Sequence, residues 1–180
     1  MIIATVGCSG SGKSSARFFF ESKGFISFEA SDYSKKIRNN NIPAFDFFSV
    51  SQNRTRVIEE ISEEIDQIKS DRIIISGLRI FEEIDFLRKR FNEVIIIGIF
   101  APESILYERV VARKGRDKFP DIKTFYFKRL VEDYALGLAS IFFKYCDYIV
   151  DNVSSEQQFH SQLESILDKI NKNNETDSKR

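Results

Sequence analysis

The chain has 180 residues, 42% of them hydrophobic, which is enough to build the core of one compact domain. Its 27 basic and 27 acidic side chains cancel to a formal net charge of zero, so the charge balance gives no indication of a nucleic-acid surface. The two cysteines, Cys8 and Cys146, lack metal-ligand spacing, and no apolar run approaches the roughly 20 residues that cross a bilayer, so we expect a cytoplasmic protein with reduced thiols and no membrane contact.

Short apolar runs alternate along the chain with longer segments of helical spacing, which predicts an α/β fold with a parallel sheet covered by helices. In chain order, the five predicted strands are residues 2–6, 25–29, 72–76, 94–100 and 148–150. The predicted helices are residues 13–22, a helix whose apolar stripe runs from residue 57 to 68, and residues 82–91, 103–113, 121–138 and 155–170. This alternation favours a sheet with helical layers on both faces.

Two polar segments interrupt the pattern. Residues 114–120 are rich in charge and contain Gly115 and Pro120, so we predict an exposed, mobile flap between two helices. Residues 171–180 are too polar to pack against a core, and we predict a disordered tail there. Residues 1–170 should then form a single domain, which we expect to act as a monomer or a homodimer.

A glycine-rich loop follows the first predicted strand and leads directly into a helix. Its residues are Gly7, Cys8, Ser9, Gly10, Ser11, Gly12, Lys13 and Ser14. They match the spacing G-x-x-x-x-G-K-[ST] of a phosphate-binding P-loop, the Walker A motif, whose backbone N–H groups hold phosphates at the positive end of a helix. We therefore expect Lys13 to reach the β- and γ-phosphates of ATP and the Ser14 hydroxyl to coordinate Mg²⁺.

Beyond this loop, the order of elements resembles the nucleoside monophosphate kinase superfamily. The resemblance is greatest to its dephospho-CoA kinase-like branch, which includes an archaeal group of nucleotide kinase-like proteins, and it covers residues 1–170. The stretches that carry it are the P-loop, Ser31-Asp32 after the second strand, Ser76-Gly77-Leu78-Arg79 after the third, Glu108-Arg109 leading to Arg113 and Arg116, and residues 146–152. The resemblance implies a three-layer P-loop fold with a small helical LID at about residues 114–120.

The same resemblance implies an acceptor site beside the second and third strands. Asp32 would face the acceptor there as a catalytic carboxylate, and nearby basic residues would bind a phosphate of the acceptor. These basic residues are Lys35, Lys36 and Arg38. Arg79 would grip the acceptor as well, because a guanidinium binds phosphate through two parallel hydrogen bonds; a surface cation that caps its helix is the alternative interpretation.

One position departs from the family pattern. Members usually carry an acidic residue before the glycine at the end of the third strand, where it helps to hold the water shell of the magnesium ion, but this chain has Ser76 there. Asp32 is the nearest acidic substitute along the pattern. The departure bears on phosphoryl transfer and leaves phosphate binding by the P-loop intact.

Three further arginines and the residue after the last strand complete the site that the resemblance implies. Arg113 and Arg116 would meet the charge that develops on the transferring phosphoryl group as the LID closes and excludes water. Arg129 belongs either to that cluster or to a solvated ion pair with its acidic neighbours. Asn152, at the carboxyl edge of the sheet, would contact the adenine, whereas His160 is expected to be an ordinary helix residue.

These expectations predict an ATP-dependent small-molecule kinase that phosphorylates a nucleotide-like acceptor. A nucleoside monophosphate offers an ionised oxygen, whereas dephospho-CoA offers a hydroxyl that benefits from a base such as Asp32. Two alternatives stay open, because Ser76 replaces the acid: a P-loop ATPase or nucleotide-dependent switch without a small-molecule acceptor, and a nucleotide-binding module with little turnover. In none of these cases does the sequence predict a nucleic-acid partner.

Overall fold

The computed structural model describes residues 1–38, 42–113, 121–130 and 136–177, with side chains up to residue 174. Over these ranges, five parallel strands form one sheet in the spatial order β2-β3-β1-β4-β5. The strands are β1 (Ile2–Val6), β2 (Ile26–Glu29), β3 (Ile73–Leu78), β4 (Val94–Phe100) and β5 (Tyr148–Asp151). The predicted α/β class with a five-stranded parallel sheet is confirmed.

Helices cover both faces of this sheet. They are α1 (Lys13–Ser22), α2 (Ala30–Ile37), α3 (Ala44–Ser49), α4 (Arg56–Asp66), α5 (Phe81–Arg90), α6 (Glu103–Ala112), α7 (Ile122–Arg129), α8 (Leu138–Lys144) and α9 (Glu156–Asp177). Ile3, Ile74 and Ile97 point towards α1 and α9, where Phe20 and Leu163 complete one core. The other face packs against α4, α5 and α8, so both sides of the central strands are removed from water.

The central strand β1 explains why the phosphate-binding loop has a rigid base. All five of its residues are buried, and it pairs in parallel with β3 on one side and β4 on the other. A run of β-branched and small residues such as Ile2–Val6 suits a strand that is buried on both faces. Because all strands are parallel, the ends of β1, β2 and β3 meet at one edge of the sheet, where α/β folds place their ligands.

The region after the second strand is more helical than the sequence indicates. Helix α2 begins at Ala30, directly after Glu29, so Ser31 and Asp32 lie in the first turn of a helix. The short helix α3 and a 3₁₀ turn at Ser51–Asn53 follow before α4. Elements of eight and six residues contain too few turns to produce a clear apolar period, which explains why they are absent from the sequence prediction.

The predicted helix over residues 121–138 does not run unbroken to its predicted end, and residues 131–135 within it lie outside the described residues. Helix α7 ends at Arg129, and a separate helix, α8, begins at Leu138 and runs to Lys144. Gly137 precedes α8 with a φ of 93°, in the left-handed region. A right-handed helix cannot continue through such a residue, so the chain changes direction there.

At the carboxyl end, α9 continues past the predicted boundary at Ile170 to Asp177. The side chain of Asn174 donates a hydrogen bond to Glu93, which ties this polar extension to the body of the protein. The predicted LID over residues 114–120 lies outside the described residues. Within the part of the chain that the structure describes, no helix is long and apolar enough to cross a membrane.

Candidate active site

The P-loop connects β1 to the first turn of α1, as its spacing predicts. Gly12 precedes α1 with a φ of 110°, which only glycine adopts without strain, and the amide of Ala16 donates to its carbonyl to start the helix. A Cβ on Gly12 would also overlap the Asn152 amide. The backbone of the loop therefore lies at the positive end of the α1 dipole, which is the arrangement that binds phosphate.

Lys13 lies at the mouth of this loop. Its ammonium donates to the carbonyl oxygens of Gly7 and Cys8, at 2.7 and 2.9 Å. These bonds place a full positive charge beside the inward-facing backbone of the loop, where the terminal phosphates of a nucleotide would lie. Ser14 follows in the first turn of α1, with its side chain exposed towards the same space.

Asn152 braces the P-loop from the far end of the chain. It is 8% exposed, its Nδ2 donates to the Ser11 carbonyl at 2.8 Å, and its Oδ1 accepts from Arg109 at 3.3 Å. Arg109 also donates to the Gly10 carbonyl at 3.5 Å. Both polar atoms of the Asn152 amide are therefore bonded to the loop and its neighbour, so the predicted contact with adenine stays a prediction while a bracing contact is observed.

A cavity of about 420 Å³ opens beside the P-loop and the start of α1. Gly10, Gly12, Ser14, Arg113 and Asn152, which the sequence predicts to bind the nucleotide or its charge, all line it. Its other lining residues are Ser15, Arg109, Ala112, Ser154, Glu156 and Phe159. A cavity of this size lies in the range of small-molecule sites. The predicted Arg116, by contrast, lies outside the described residues.

A carboxylate that the sequence interpretation missed lies on the other side of Lys13. Glu29 is the last residue of β2 and is paired in register with Ser76 of β3. A Cβ on Gly77 would lie 3.0 Å from Glu29 Oε1 and 3.8 Å from Lys13 Cε, so the Glu29 carboxylate and the lysine stem flank this glycine. Glu29 is thus an acidic side chain at the same edge of the sheet as Ser76.

Two buried hydroxyls lie at the same edge. Thr5 and Ser76 are neighbours across β1 and β3, both fully buried, and neither hydroxyl has a hydrogen-bond partner among the described residues. An unpaired buried hydroxyl costs about 1–3 kcal/mol, a cost that a bound ligand or water could remove. The sheet edge close to Glu29 therefore carries two hydroxyls that have no hydrogen-bond partner among the described residues.

These groups fit a magnesium ion that is delivered with the nucleotide. The described residues contain no group of three or more His, Cys, Asp or Glu side chains that could hold a metal by themselves. Mg²⁺ usually binds through one or two protein oxygens, nucleotide phosphates and several retained waters. The Ser14 hydroxyl, in the first turn of α1, is the P-loop oxygen that suits such a shell.

The predicted acceptor residues of α2 lie on its surface. The Asp32 side chain is 67% exposed and binds Lys35 Nζ at 2.9 Å. Arg38 donates to the carbonyl of Ile42, in the chain that follows the helix. The observed partners of these three side chains are thus local, and Glu29 rather than Asp32 is the acid seen beside Lys13.

Arg79 occupies the loop between β3 and α5, and its guanidinium makes no hydrogen bond or ion pair with the described residues. Glu83 holds the backbone of this loop, because its carboxylate accepts hydrogen bonds from the amides of Arg79 at 2.8 Å and Ile80 at 3.3 Å. Glu83 is only 1% exposed, and burial raises its pKa to about 7. The backbone of Arg79 is thereby held while its side chain remains available to an acceptor.

Arg129 reaches the P-loop from α7. It is 5% exposed, and its guanidinium binds Cys8 Sγ at 2.6 Å and Glu103 Oε1 at 3.4 Å. Helix α7, which follows the predicted LID in sequence, is therefore linked directly to the phosphate-binding loop. Glu132 and Asp133, the acidic neighbours of the ion-pair interpretation, lie outside the described residues, so both interpretations of this arginine stay open.

The chain is similar in sequence to part of a known protein. No protein-family model matches the chain. A UPF0200 protein of Saccharolobus islandicus is 28% identical over 112 residues, which span 62% of this chain and 58% of that protein. The match therefore covers little more than half the length of that relative.

Solved structures of small-molecule kinases superpose over almost the whole chain. A gluconokinase from Sinorhizobium meliloti has a TM-score of 0.67 at 20% identity, with 98% of this chain and 96% of that chain covered. A shikimate kinase from Acinetobacter baumannii in complex with shikimate has a TM-score of 0.64 at 15% identity, with 96% and 93% covered. At these identities the likeness concerns the fold alone, and the chain has the fold of P-loop small-molecule kinases.

Proposed function

We propose that the protein is an ATP-dependent kinase that transfers the γ-phosphoryl group to a small acceptor. The observation that carries this proposal is the pair of groups that flank Gly77: the Lys13 side chain of a complete P-loop and the Glu29 carboxylate at the end of β2. The cation suits the phosphates of ATP, and the carboxylate suits the proton of an incoming hydroxyl. Phosphoryl transfer to a hydroxyl is helped by both.

Each group of the site has a separate role in this proposal. The P-loop amides and Lys13 bind the β- and γ-phosphates, and Ser14 holds the magnesium ion, which supplies positive charge to the transferring group when it is bound. Arg113, at the edge of the cavity, and Arg116 of the predicted LID would add charge in the transition state and exclude water. Asn152 keeps the loop in the shape that binds phosphate.

The acceptor would bind on the β2–β3 side of the loop. Arg79 offers its guanidinium there, to a phosphate or carboxylate of the acceptor, and Asp32 with Lys35 or Arg38 could close over it from α2. Glu29 favours a hydroxyl acceptor over the ionised oxygen of a nucleoside monophosphate, because a carboxylate repels an anionic nucleophile but takes up the proton of a hydroxyl, directly or through one water. Dephospho-CoA belongs to this class.

Phosphorylation of an acceptor panel with MgATP tests the proposal. The panel contains nucleoside monophosphates, deoxynucleoside monophosphates, dephospho-CoA, gluconate and shikimate, and the same reactions are followed for hydrolysis without acceptor. We expect transfer to at least one hydroxyl acceptor, loss of transfer in Lys13→Ala, and a decrease of kcat by about 10²-fold or more in Glu29→Gln with ATP binding retained. Glu63→Gln, an exposed change on α4, is the matched control.

Three results would contradict this assignment or a part of it. Hydrolysis of ATP that no acceptor stimulates would favour the ATPase or switch, and nucleotide binding without turnover would favour a binding module. A Glu29→Gln variant with an unchanged rate of transfer would remove this carboxylate from the chemistry and return Asp32 to first place. Circular dichroism of each variant shows whether the fold is retained.

A further inference from the structure

The nucleotide cavity contains a polar cluster that the proposed chemistry does not use. It joins α1 to α9: the Ser15 hydroxyl lies 3.2 Å from Glu156 Oε1 and 3.1 Å from His160 Nε2. The Ser15 hydroxyl donates to the carboxylate, and the histidine tautomer with hydrogen on Nε2 lets the imidazole donate to the serine oxygen. Ser15 and Glu156 both line the cavity beside the P-loop.

Position along the cavity determines which part of a nucleotide would meet this cluster. The P-loop and Lys13 bind the terminal phosphates, and Ser14 follows at the start of α1. Ser15 is the next residue of α1, and Ser154 and Glu156 line the same cavity from the segment that follows β5, at the carboxyl edge of the sheet where α/β folds bind nucleotides. The sugar is the first part of the nucleoside after the α-phosphate, and the base comes later.

Chemistry points to the same part of the ligand. Glu156 is the only carboxylate that lines the described cavity, where Arg109 and Arg113 supply the cations. A carboxylate repels phosphate but accepts hydrogen bonds from hydroxyls, which is how dinucleotide-binding folds hold a ribose. The side chain is 75% exposed, yet its carboxylate accepts a hydrogen bond from Ser15, and His160, one turn further along α9, lies 3.8 Å from it.

We propose that Glu156 binds the ribose hydroxyls of the nucleoside triphosphate and so makes the site selective for ribonucleotides over deoxyribonucleotides. This inference rests on the proposed use of MgATP and adds the selectivity of the same site. Ser15 and His160 are positioning residues, which hold the carboxylate towards the sugar. Loss of one hydrogen bond to a charged group should weaken binding by about 10-fold to 100-fold.

Calorimetric binding of ATP, 2′-deoxy-ATP, 3′-deoxy-ATP and GTP, each with Mg²⁺, tests this assignment. We expect wild-type protein to bind ATP at least about 10-fold more tightly than one of the two deoxy analogues. Glu156→Ala should bind ATP and both deoxy analogues with equal affinity. Glu156→Gln, which keeps an acceptor oxygen, should lose part of the preference. Asp168→Asn, an exposed acid further along α9, is the control and should keep it.

The results separate this inference from the kinase proposal. Equal binding of ATP and both deoxy analogues by wild-type protein, or an undiminished preference in Glu156→Ala, overturns the ribose assignment. A variant that changes only the preference for ATP over GTP places Glu156 at the base, which also overturns it. If ribose selectivity depends on Glu156 but no acceptor is phosphorylated, the kinase proposal fails while the ribose site stands; if no nucleotide binds, both fail.

Discussion

Glu83 makes the stability of the protein depend on pH in a direction opposite to that of most carboxylates. Its side chain is buried beneath the loop that carries Arg79. Two backbone amides donate to it and favour the charged form, but burial is the larger effect, and the pKa is raised from its ordinary 4.5 to about 7. Replacement by Gln removes the titration and keeps an oxygen that can accept from both amides.

The sign and size follow from proton binding. Between pH 4.5 and 7 the folded protein keeps a proton on Glu83 that the unfolded chain has released, so the free energy of unfolding falls as pH rises. The contribution is fully present below pH 4.5 and is lost as pH passes through about 7. At about 1.4 kcal/mol per pH unit, the loss over this interval amounts to about 3 kcal/mol.

Urea unfolding at a series of pH values between 4 and about 8 measures this effect. Other groups titrate in the same range, so the informative quantity is the difference between wild type and Glu83→Gln at each pH. We expect that difference to change by about 3 kcal/mol across the interval, and Glu63→Gln, an exposed change on α4, is the control variant. A Glu83→Gln profile parallel to wild type would refute the reasoning, because it would mean that the buried carboxyl titrates normally.

Two further predictions concern the site. Asn152→Ala removes the hydrogen bond to the Ser11 carbonyl and leaves a buried acceptor unpaired, so we expect the affinity for MgATP, measured by calorimetry, to fall by about 10-fold with acceptor affinity little changed; unaltered ATP binding would contradict the bracing role. Arg79→Ala should raise the KM for the acceptor by about 10-fold or more in steady-state kinetics with the KM for ATP unchanged, and Arg79→Lys should restore only part of the loss; an effect on ATP alone would place Arg79 outside the acceptor site.

The fold was predictable where local sequence and tertiary structure agree. The bounds of β1, β4 and α1 match the prediction, because a wholly apolar run and a glycine loop followed by Lys13 each admit one local structure. The break at Gly137 was missed, since a lone glycine is compatible with a helix until its φ is known. For α2 and α3, packing against the sheet supplies the stability that their short sequences cannot show.

The candidate site was likewise predictable only where its sequence signal is local. The P-loop is a local motif, and its eight residues were identified from spacing alone. The contacts of Asn152 and Arg129 join residues more than a hundred positions apart, and no local pattern contains that information. Glu29 was overlooked for a related reason: its significance depends on the register of β2 against β3, which becomes known only when the sheet is assembled.

That register also accounts for the departure at Ser76. Neighbouring strands lie about 4.8 Å apart, so an acid at position 76 would place a second carboxylate next to Glu29 at the edge of the sheet. A second carboxylate there would repel that of Glu29. Gly77 adds a steric limit, because a side chain there would press on Glu29 and the Lys13 stem. The small residues at the end of β3 therefore leave space for one carboxylate, that of Glu29, beside the Lys13 stem.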